Sequence, residues 1–286
     1  MNILVMAGTK DAVKIIEKLS ENKKSYSSDF SNKNSLNILA TTTTRYGADI
    51  SKKAGANEVI SKPLTSDELV DLIEKKDVDI LIDATHPYAV QATVNAIYST
   101  KKTSIKYIRY ERPSLDYSSV EGVHPVKSFK EAGEVALGIL QDNLNFSKKE
   151  GALKSGKKVM HLAGVSTIKT VLESVPKDQL VVRVLPNNTS IGQCHELGLS
   201  GENIVAMQGV FSKEFNKSLM KEYNAGVIIS KESGHTGGVP DKIEAALELG
   251  LKIILVVRPE IQELEKESVV NNLEEFEEEF KLLISL

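Results

Sequence analysis

Short apolar segments alternate with amphipathic helical patterns along almost the whole chain, and this alternation is the strongest constraint on its fold. Helical periodicity is clear, for example, over 11–19 and 67–75. Strands that alternate with helices in this way predict an α/β protein with parallel sheets covered by helices. Ten segments have the length and β-branched content of buried strands, namely 2–7, 37–43, 57–60, 78–82, 106–110, 158–163, 180–184, 203–207, 226–230 and 252–257.

A break near residue 117 divides this series into two halves. Arg112-Pro113-Ser114 ends the first five strands, and a less regular stretch continues to His124-Pro125. We therefore predict two Rossmann-like domains, residues 1–117 and residues 118–286, with a cleft between them.

Composition restricts the functions available to such a chain. The 286 residues are 41% hydrophobic with a net charge of −3, which supports a real core and gives no indication of a nucleic-acid partner. No apolar run approaches the roughly 20 residues of a membrane span. A single cysteine, Cys194, excludes an internal disulfide and a multi-cysteine metal site, and no histidine pair has metal-ligand spacing. We expect a soluble cytoplasmic protein without a metal centre or membrane partner.

The polar segment 21–37 predicts a surface insertion, and 273–286 predicts a terminal amphipathic helix.

The turn after the fourth strand, Asp83-Ala-Thr-His-Pro-Tyr-Ala89, carries an acid, a hydroxyl, an imidazole and a phenol. Ligands of open parallel sheets bind at the carboxyl ends of strands, so Asp83, Thr85 and His86 are candidate cofactor ligands. Pro87 stiffens the turn by restricting the residue before it. The titratable groups of His86 and Tyr88 are candidates for delivering a proton. An ordinary turn with a helix-capping Asp or Thr remains open, as does delivery of the proton by solvent or by a carboxyl group of the substrate.

Two more turns of the first half are candidate dinucleotide contacts. Gly8 and Thr9 follow the first strand and open a helix, where free backbone N–H groups favour a phosphate. A standard dinucleotide turn carries three glycines, and this one has only Gly8. Thr43, Thr44 and Arg45 follow the second strand, where an acid would favour NAD. Hydroxyls and an arginine indicate NADPH, although NADH and a merely threonine-rich strand end stay open.

The second half offers polar loops and cations at strand ends. Ser230-Lys-Glu-Ser-Gly-His-Thr-Gly-Gly238 combines three glycines with a lysine and a histidine ahead of a predicted helix, as in an anion-binding loop. Only five of the 36 basic residues are arginine, and each lies at or just beyond a predicted strand end, where its planar fork suits a carboxylate or phosphate. Unrelated polar turns are the plainer alternative. The candidate anion ligands are Arg109, Arg112, Arg183, Ser212, Lys231, Ser233, Gly234 and His235.

The sequence resembles the precorrin-6A reductase family, including its cobalt-precorrin-6A members. The matching segments run in family order across nearly the whole chain, namely Asp83-Ala-Thr-His-Pro-Tyr-Ala89, Arg109-Tyr-Glu-Arg-Pro113, Arg183-Val-Leu-Pro186, Ser230-Lys-Glu-Ser-Gly234, Lys242 with Glu244-Ala-Ala246, and Val257-Arg-Pro259. The resemblance implies a cobalamin-biosynthesis reductase that passes a hydride from a nicotinamide to one double bond of a corrin-precursor macrocycle. The many carboxylates of that substrate would be bound by the candidate anion ligands, and the cofactor by the first half.

Two other classes of function stay open at this point. Two Rossmann-like halves can form a non-catalytic module that senses a dinucleotide. They can also form a tetrapyrrole enzyme that uses no nicotinamide. The second set of polar loops, 163–167, 186–189 and 230–238, favours a co-substrate over pure sensing.

Overall fold

In the computed structural model, residues 1–22, 36–149, 156–234 and 237–285 are described, with side chains for all of these except 143–149. The chain forms two compact units. The first unit comprises Met1–Pro113 together with Pro259–Leu286, and the second comprises Ser114–Arg258.

The first unit is built on a six-stranded parallel sheet in the order β12-β5-β4-β1-β2-β3. Its strands are β1 (Asn2–Met6), β2 (Asn37–Thr42), β3 (Glu58–Ser61), β4 (Ile80–Asp83), β5 (Lys106–Tyr110) and β12 (Val269–Val270). Its helices are α1 (Lys10–Glu21), α2 (Arg45–Lys53), α3 (Ser66–Lys75), α4 (Val90–Thr103) and α10 (Leu273–Ser285).

Both faces of this sheet are buried because successive strand residues point to opposite sides. Ile3 and Val5 of β1 belong to the core that includes α1 and α10. Leu4 and Met6 belong to the core on the other face, which includes α3 and α4. The continuous apolar strands recognised in the sequence follow from this two-sided burial.

The second unit repeats the plan, with a six-stranded parallel sheet in the order β6-β11-β10-β7-β8-β9. Its strands are β6 (Val123–Val126), β7 (Lys158–His161), β8 (Leu180–Val184), β9 (Ile204–Ala206), β10 (Ala225–Lys231) and β11 (Lys252–Val256). Its helices are α5 (Phe129–Lys149), the short α6 (Ile168–Val171), α7 (Asn188–Glu196), α8 (Lys213–Glu222) and α9 (Val239–Glu248).

The α/β class and the two parallel sheets are confirmed, and all ten predicted strands are present. Two edge strands were missed. β6 contains Pro125, which a strand accepts only at an edge, and β12 has two residues, too few for a periodic signal.

The structure divides the chain differently from the predicted boundary. We expected 118–286 to form one domain, but Pro259–Leu286 belongs to the first unit. β12 pairs with β5, and Phe276 and Phe280 of α10 are fully buried in the core of the first unit. The terminal helix was predicted correctly, but its partner was not, because an amphipathic pattern shows that a face is buried without showing against what.

Of the predicted surface insertion, residues 23–35 lie outside the described part of the chain. No described helix combines the length and hydropathy needed to cross a membrane.

Candidate functional site

Each sheet has one point at which the strand order reverses direction, and in open parallel sheets the crevice at such a point binds ligands. In the first unit the reversal falls between β1 and β4. In the second unit it falls between β7 and β10. The sequence-predicted site residues cluster at or beside these two places.

The turn after β1 leaves its backbone open to a ligand. Gly8 is exposed with a φ of 121°, and a Cβ added there would meet no heavy atom within 4 Å. Thr9 caps α1, because its Oγ1 accepts from the N–H of Ala12 at 3.0 Å and donates to the carbonyl of Ala84 at 2.8 Å. Thr9 thereby ties the turn after β1 to the turn after β4, and its hydroxyl is already used.

The turn after β2 is exposed over Thr43, Thr44 and Arg45. Thr44 caps α2 by accepting from the N–H of Gly47 at 3.0 Å. Arg45 is the first residue of that helix, and the neighbouring Tyr46 keeps 60% of its surface exposed. An exposed cation beside an exposed aromatic ring suits an adenosine phosphate, and Tyr46 was not among the residues predicted from the sequence.

Asp83 occupies a different environment from the one predicted for a cofactor ligand. Its side chain is fully buried, and Oδ1 lies 2.9 Å from Nη1 of Arg109. The same oxygen accepts from the Thr85 hydroxyl at 2.7 Å, and Oδ2 accepts from the Tyr107 hydroxyl at 3.2 Å. Both carboxylate oxygens are therefore committed inside the protein.

Arg109 is likewise enclosed instead of standing free at the strand end. Its guanidinium has no exposed surface and also bonds Thr85 at 3.0 Å and Glu111 at 3.0 Å. Burial lowers the pKa of Arg109, but attraction to Asp83 and Glu111 outweighs it and the net shift is upward. Burial, followed by the charge of Asp83, raises the pKa of Tyr107 far above its usual range. Arg109 and Tyr107 therefore keep fixed protonation states, and their bonds to Asp83 hold the turn after β4 in place.

His86 and Tyr88 are half-buried beside this network. The N–H of Tyr88 donates to Nδ1 of His86 at 3.3 Å, and the centroids of the two rings lie 5.6 Å apart. Nδ1 of His86 therefore serves as a hydrogen-bond acceptor within the turn.

Arg112, predicted as a substrate ligand, lies at the first unit's switch point. Its Nη1 is 2.6 Å from Oδ2 of Asp11, in the first turn of α1. This pair sets a cation and an anion side by side at the end of the helix where a phosphate would bind.

A separate cavity of about 460 Å³ opens in the first unit. Three of its lining residues, Glu111, Glu260 and Glu265, are acidic. An acidic lining disfavours a phosphate or a polycarboxylate, so this cavity is unsuited to the predicted ligands.

The second unit holds a buried acid–arginine pair of its own. Glu232 follows β10 and pairs with Arg258, which follows β11, much as Asp83 at the end of β4 pairs with Arg109 of β5. Glu232 also accepts from the N–H of Gly234 at 2.7 Å and the Ser114 hydroxyl at 3.2 Å. It therefore braces the loop 231–234 and both ends of the second unit, Ser114 and Arg258.

Three basic side chains form what we call the cationic cluster, namely Arg183 of β8, Lys231 at the end of β10 and Lys242 of α9. Burial, followed by charge repulsion from Arg183 and Lys231, lowers the pKa of Lys242 to about 7. The described residues provide only neutral hydrogen-bond partners for Arg183 and Lys242. These are Asn216 Oδ1 at 3.3 Å from Arg183 and the Gly237 carbonyl at 3.1 Å from Lys242.

Arg183 is further held by an aromatic stack. Its guanidinium carbon lies 5.2 Å from the centroid of the Phe211 ring, which stacks on Phe215 at 4.7 Å. Burial lowers the pKa of Arg183 to about 10, so it remains charged at neutral pH. In the cationic cluster Lys242 is buried and Arg183 and Lys231 are partly buried, and such a concentration of positive charge suits the binding of a carboxylate.

The remaining predicted anion ligands are divided between structural and accessible positions. Ser212 is exposed and caps α8 by accepting from the N–H of Phe215 at 3.3 Å. Ser233 is buried, and Gly234 has a φ of 69° in the loop braced by Glu232. His235 lies outside the described residues.

His161 ends β7 at the switch point of the second unit and is fully buried. Its Nε2 lies 2.9 Å from the Thr167 hydroxyl. Burial, reinforced by the charge of Lys231, lowers the pKa of His161 to about 3, so the ring stays neutral. The Thr167 hydroxyl provides a partner for Nε2, but Nδ1 has none among the described residues.

Two parallel α/β units, one with an open glycine turn at its switch point and one with a cationic cluster beside its own, define a two-unit α/β protein with ligand-binding crevices at its strand ends. The family model described as "Precorrin-6x reductase CbiJ/CobK" matches residues 2–281. The chain belongs to this family, and the reductase assignment made from sequence is confirmed.

Relatives and one solved structure agree with this. The chain is 45% identical to the cobalt-precorrin-6A reductase of Methanothermobacter thermautotrophicus, over 96% of the chain and 81% of that protein. It is 41% identical to the enzyme of the same name from Methanocaldococcus jannaschii, over 91% of the chain and 92% of that protein. The structure of the CobK precorrin-6A reductase superposes with a TM-score of 0.70 at 19% identity, covering 99% of this chain and 97% of that one, which supports the fold.

Lys242 was not predicted as a candidate site residue, although it belongs to one of the segments that resemble the family. One signal was available, because a lysine in the first turn of a helix opposes the helix dipole and needs a reason to be there.

Proposed function

We propose that this chain reduces the macrocycle of cobalt-precorrin-6A with NADPH, binding the cofactor on the first unit and the macrocycle carboxylates on the second. The cationic cluster carries the assignment of the macrocycle to the second unit. Among the described residues, Arg183 and Lys242 have only neutral hydrogen-bond partners. A polycarboxylate substrate supplies the missing negative charge.

The names of the relatives favour the cobalt-containing substrate. The four with 34–45% identity are all called cobalt-precorrin-6A reductase. One called precorrin-6A reductase is 24% identical over 68% of the chain.

A nicotinamide dinucleotide fits the described residues of the first unit. Gly8 leaves its backbone accessible, α1 begins directly after it, and Thr43 to Arg45 are exposed after β2. When bound, the cofactor supplies the hydride. In this proposal Gly8 and Thr9 approach its phosphates, Arg45 reads the 2′-phosphate, and Thr85 and His86 border the nicotinamide end.

Asp83 then acts on the cofactor only indirectly, since its carboxylate is bonded to Arg109, Thr85 and Tyr107. It positions the turn that carries His86. The Tyr88 N–H occupies Nδ1 of His86, which favours a positioning role over proton donation from that nitrogen. Delivery of the proton by solvent or a substrate carboxyl fits this geometry.

The test is an anaerobic assay that follows NADPH oxidation with cobalt-precorrin-6A and with metal-free precorrin-6A. We expect turnover of the cobalt form, faster with NADPH than with NADH. Arg183→Gln and Lys231→Ala should each raise the KM for the macrocycle roughly tenfold, because a charge-assisted contact contributes about 1.5–3 kcal/mol. Lys221→Ala, an exposed lysine of α8, is the matched control.

Two results would redirect the assignment. Loss of cofactor affinity instead of macrocycle affinity in Lys231→Ala would mean that the two units had been assigned the wrong ligands. Tight dinucleotide binding without turnover of either macrocycle would favour a sensing module.

A further inference from the structure

Lys242 is buried where a charged ammonium group is disfavoured on several counts. Only 8% of its surface is exposed, and it lies in the first turn of α9, at the positive end of the helix dipole. Arg183 of β8 and Lys231 of β10 face it with like charge, and Asp241 beside it on α9 provides partial compensation. Its one described hydrogen bond is to the Gly237 carbonyl at 3.1 Å.

A buried ammonium group that is only partly compensated loses its proton more readily than an exposed one. Burial, followed by repulsion from Arg183 and Lys231, lowers the pKa of Lys242 to about 7. Near neutral pH this side chain therefore changes charge with a small change in its surroundings. Arg183, by contrast, keeps its charge, since its pKa is about 10.

We propose that Lys242 takes up a proton when a carboxylate binds at the cationic cluster, so that substrate binding to this protein is coupled to protonation. The inference rests on the proposed function, because it assumes a carboxylate-bearing substrate at this site. An anion beside the cluster offsets the repulsion from Arg183 and Lys231 and stabilises the ammonium form of Lys242.

The sign of the effect follows from linkage. In the free protein Lys242 loses its proton as pH rises through about 7. In the complex it keeps the proton to a higher pH. Between these two values each binding event takes up one proton, so affinity falls up to tenfold for each unit of rising pH. Below that window Lys242 is protonated in both states and binding takes up no proton.

The experiment measures binding to the full chain in the absence of NADPH, by titration calorimetry from pH 6 to 9. Two buffers with different ionisation enthalpies report the number of protons taken up. The ligands are cobalt-precorrin-6A and uroporphyrin. Uroporphyrin is a tetrapyrrole polycarboxylate that tests carboxylate binding apart from the reduction. We expect uptake of up to one proton near pH 8 and roughly a tenfold loss of affinity between pH 7 and pH 8.

The variants separate titration from simple charge. Lys242→Met should bind more weakly, without proton uptake and without this pH dependence. Lys242→Arg should retain a permanent charge and bind without proton uptake. Lys221→Met, at an exposed lysine, should behave as wild type. Lys242→Met removes a buried charge, so its melting temperature at pH 7 should equal or exceed that of wild type, which verifies that the variant is folded.

Wild-type binding without proton uptake, or an unchanged pH dependence in Lys242→Met, would overturn the inference. Failure to bind either tetrapyrrole would also overturn it. If uroporphyrin binds with proton uptake but cobalt-precorrin-6A is not turned over, the coupled anion site stands and the proposed function fails.

Discussion

Nη1 of Arg109 lies 2.9 Å from Oδ1 of Asp83, and neither side chain has any exposed surface. The two residues come from adjacent parallel strands, whose register places Asp83 opposite Arg109. The pair joins the motif after β4 to β5, so two residues predicted as separate ligand contacts form one internal structure. Thr85 and Glu111 complete it.

Asp83→Asn is expected to destabilise the protein by about 3–5 kcal/mol, because it leaves the Arg109 charge buried without its main partner. Urea unfolding monitored by circular dichroism measures the loss. Glu58→Gln removes an exposed ion pair with Lys76 and should cost less than about 1 kcal/mol. A loss below about 1 kcal/mol for Asp83→Asn would show that the pair contributes little to stability.

Arg45→Ala is expected to weaken NADPH binding several-fold and leave NADH binding nearly unchanged. The reason is that Arg45 is exposed in the turn after β2, where no acid is present to bind a ribose hydroxyl. Fluorescence titration with both dinucleotides measures the two dissociation constants. Arg45→Lys, which keeps the charge, should recover part of the NADPH affinity. Equal losses for both cofactors would mean that Arg45 does not read the 2′-phosphate.

His86→Asn and His86→Leu together distinguish positioning from proton transfer. Asparagine can accept from the N–H two residues later, as His86 does from Tyr88, but does not titrate near neutral pH. We expect His86→Asn to keep the single-turnover rate within about threefold, while His86→Leu loses more because the turn is released. A general acid typically contributes 10²–10⁴-fold. A loss of that size in His86→Asn, with a changed pH profile, would identify His86 as the proton donor.

Phe211→Leu is expected to raise the KM for the macrocycle about three- to tenfold with little change in kcat. Phe211 holds the Arg183 guanidinium from one side by a cation–π contact, typically of about 0.5–2 kcal/mol, and its loss leaves Arg183 less well oriented. Phe211→Tyr keeps the ring and should behave nearly as wild type. Steady-state kinetics of both variants provide the comparison. Equal KM values for Phe211→Leu and wild type would remove Phe211 from substrate positioning.

Local patterns predicted most of the elements, because each depends on residues close in sequence. Thr65 and Glu68 have the spacing of a capping box, and both of its hydrogen bonds form at the start of α3. Ser212 directly precedes a helical pattern and caps α8. The missed features depend on distant partners, as when β12 pairs with a strand about 160 residues earlier in the chain.

The candidate site was harder to predict, for the same reason. The sequence places Asp83 and Arg109 at strand ends, but only the parallel register reveals that they neutralise each other. Nor does the sequence reveal that Lys242, in a helix, is brought beside Arg183 of a strand about 60 residues earlier. Charge at a strand end predicts an anion site only when no internal partner takes that charge.

The stability of the second unit is expected to fall in mild acid because of His161. Burial and Lys231 hold its pKa near 3, whereas the unfolded chain protonates near the ordinary value of 6.5. Below 6.5 the unfolded state therefore binds a proton that the folded state does not, so the free energy of unfolding falls as pH drops from about 6.5 towards 3. By pH 5 the loss is about 2 kcal/mol.

His161→Asn removes this titration, so its stability difference from wild type should shrink by about that amount between pH 7 and pH 5. The tested quantity is the change of this stability difference with pH, because loss of the contact with Thr167 adds a cost that does not vary with pH. Denaturant unfolding at several pH values measures it, with His195→Asn at an exposed histidine as the control. A difference that stays constant with pH would show that His161 titrates alike in the folded and unfolded states.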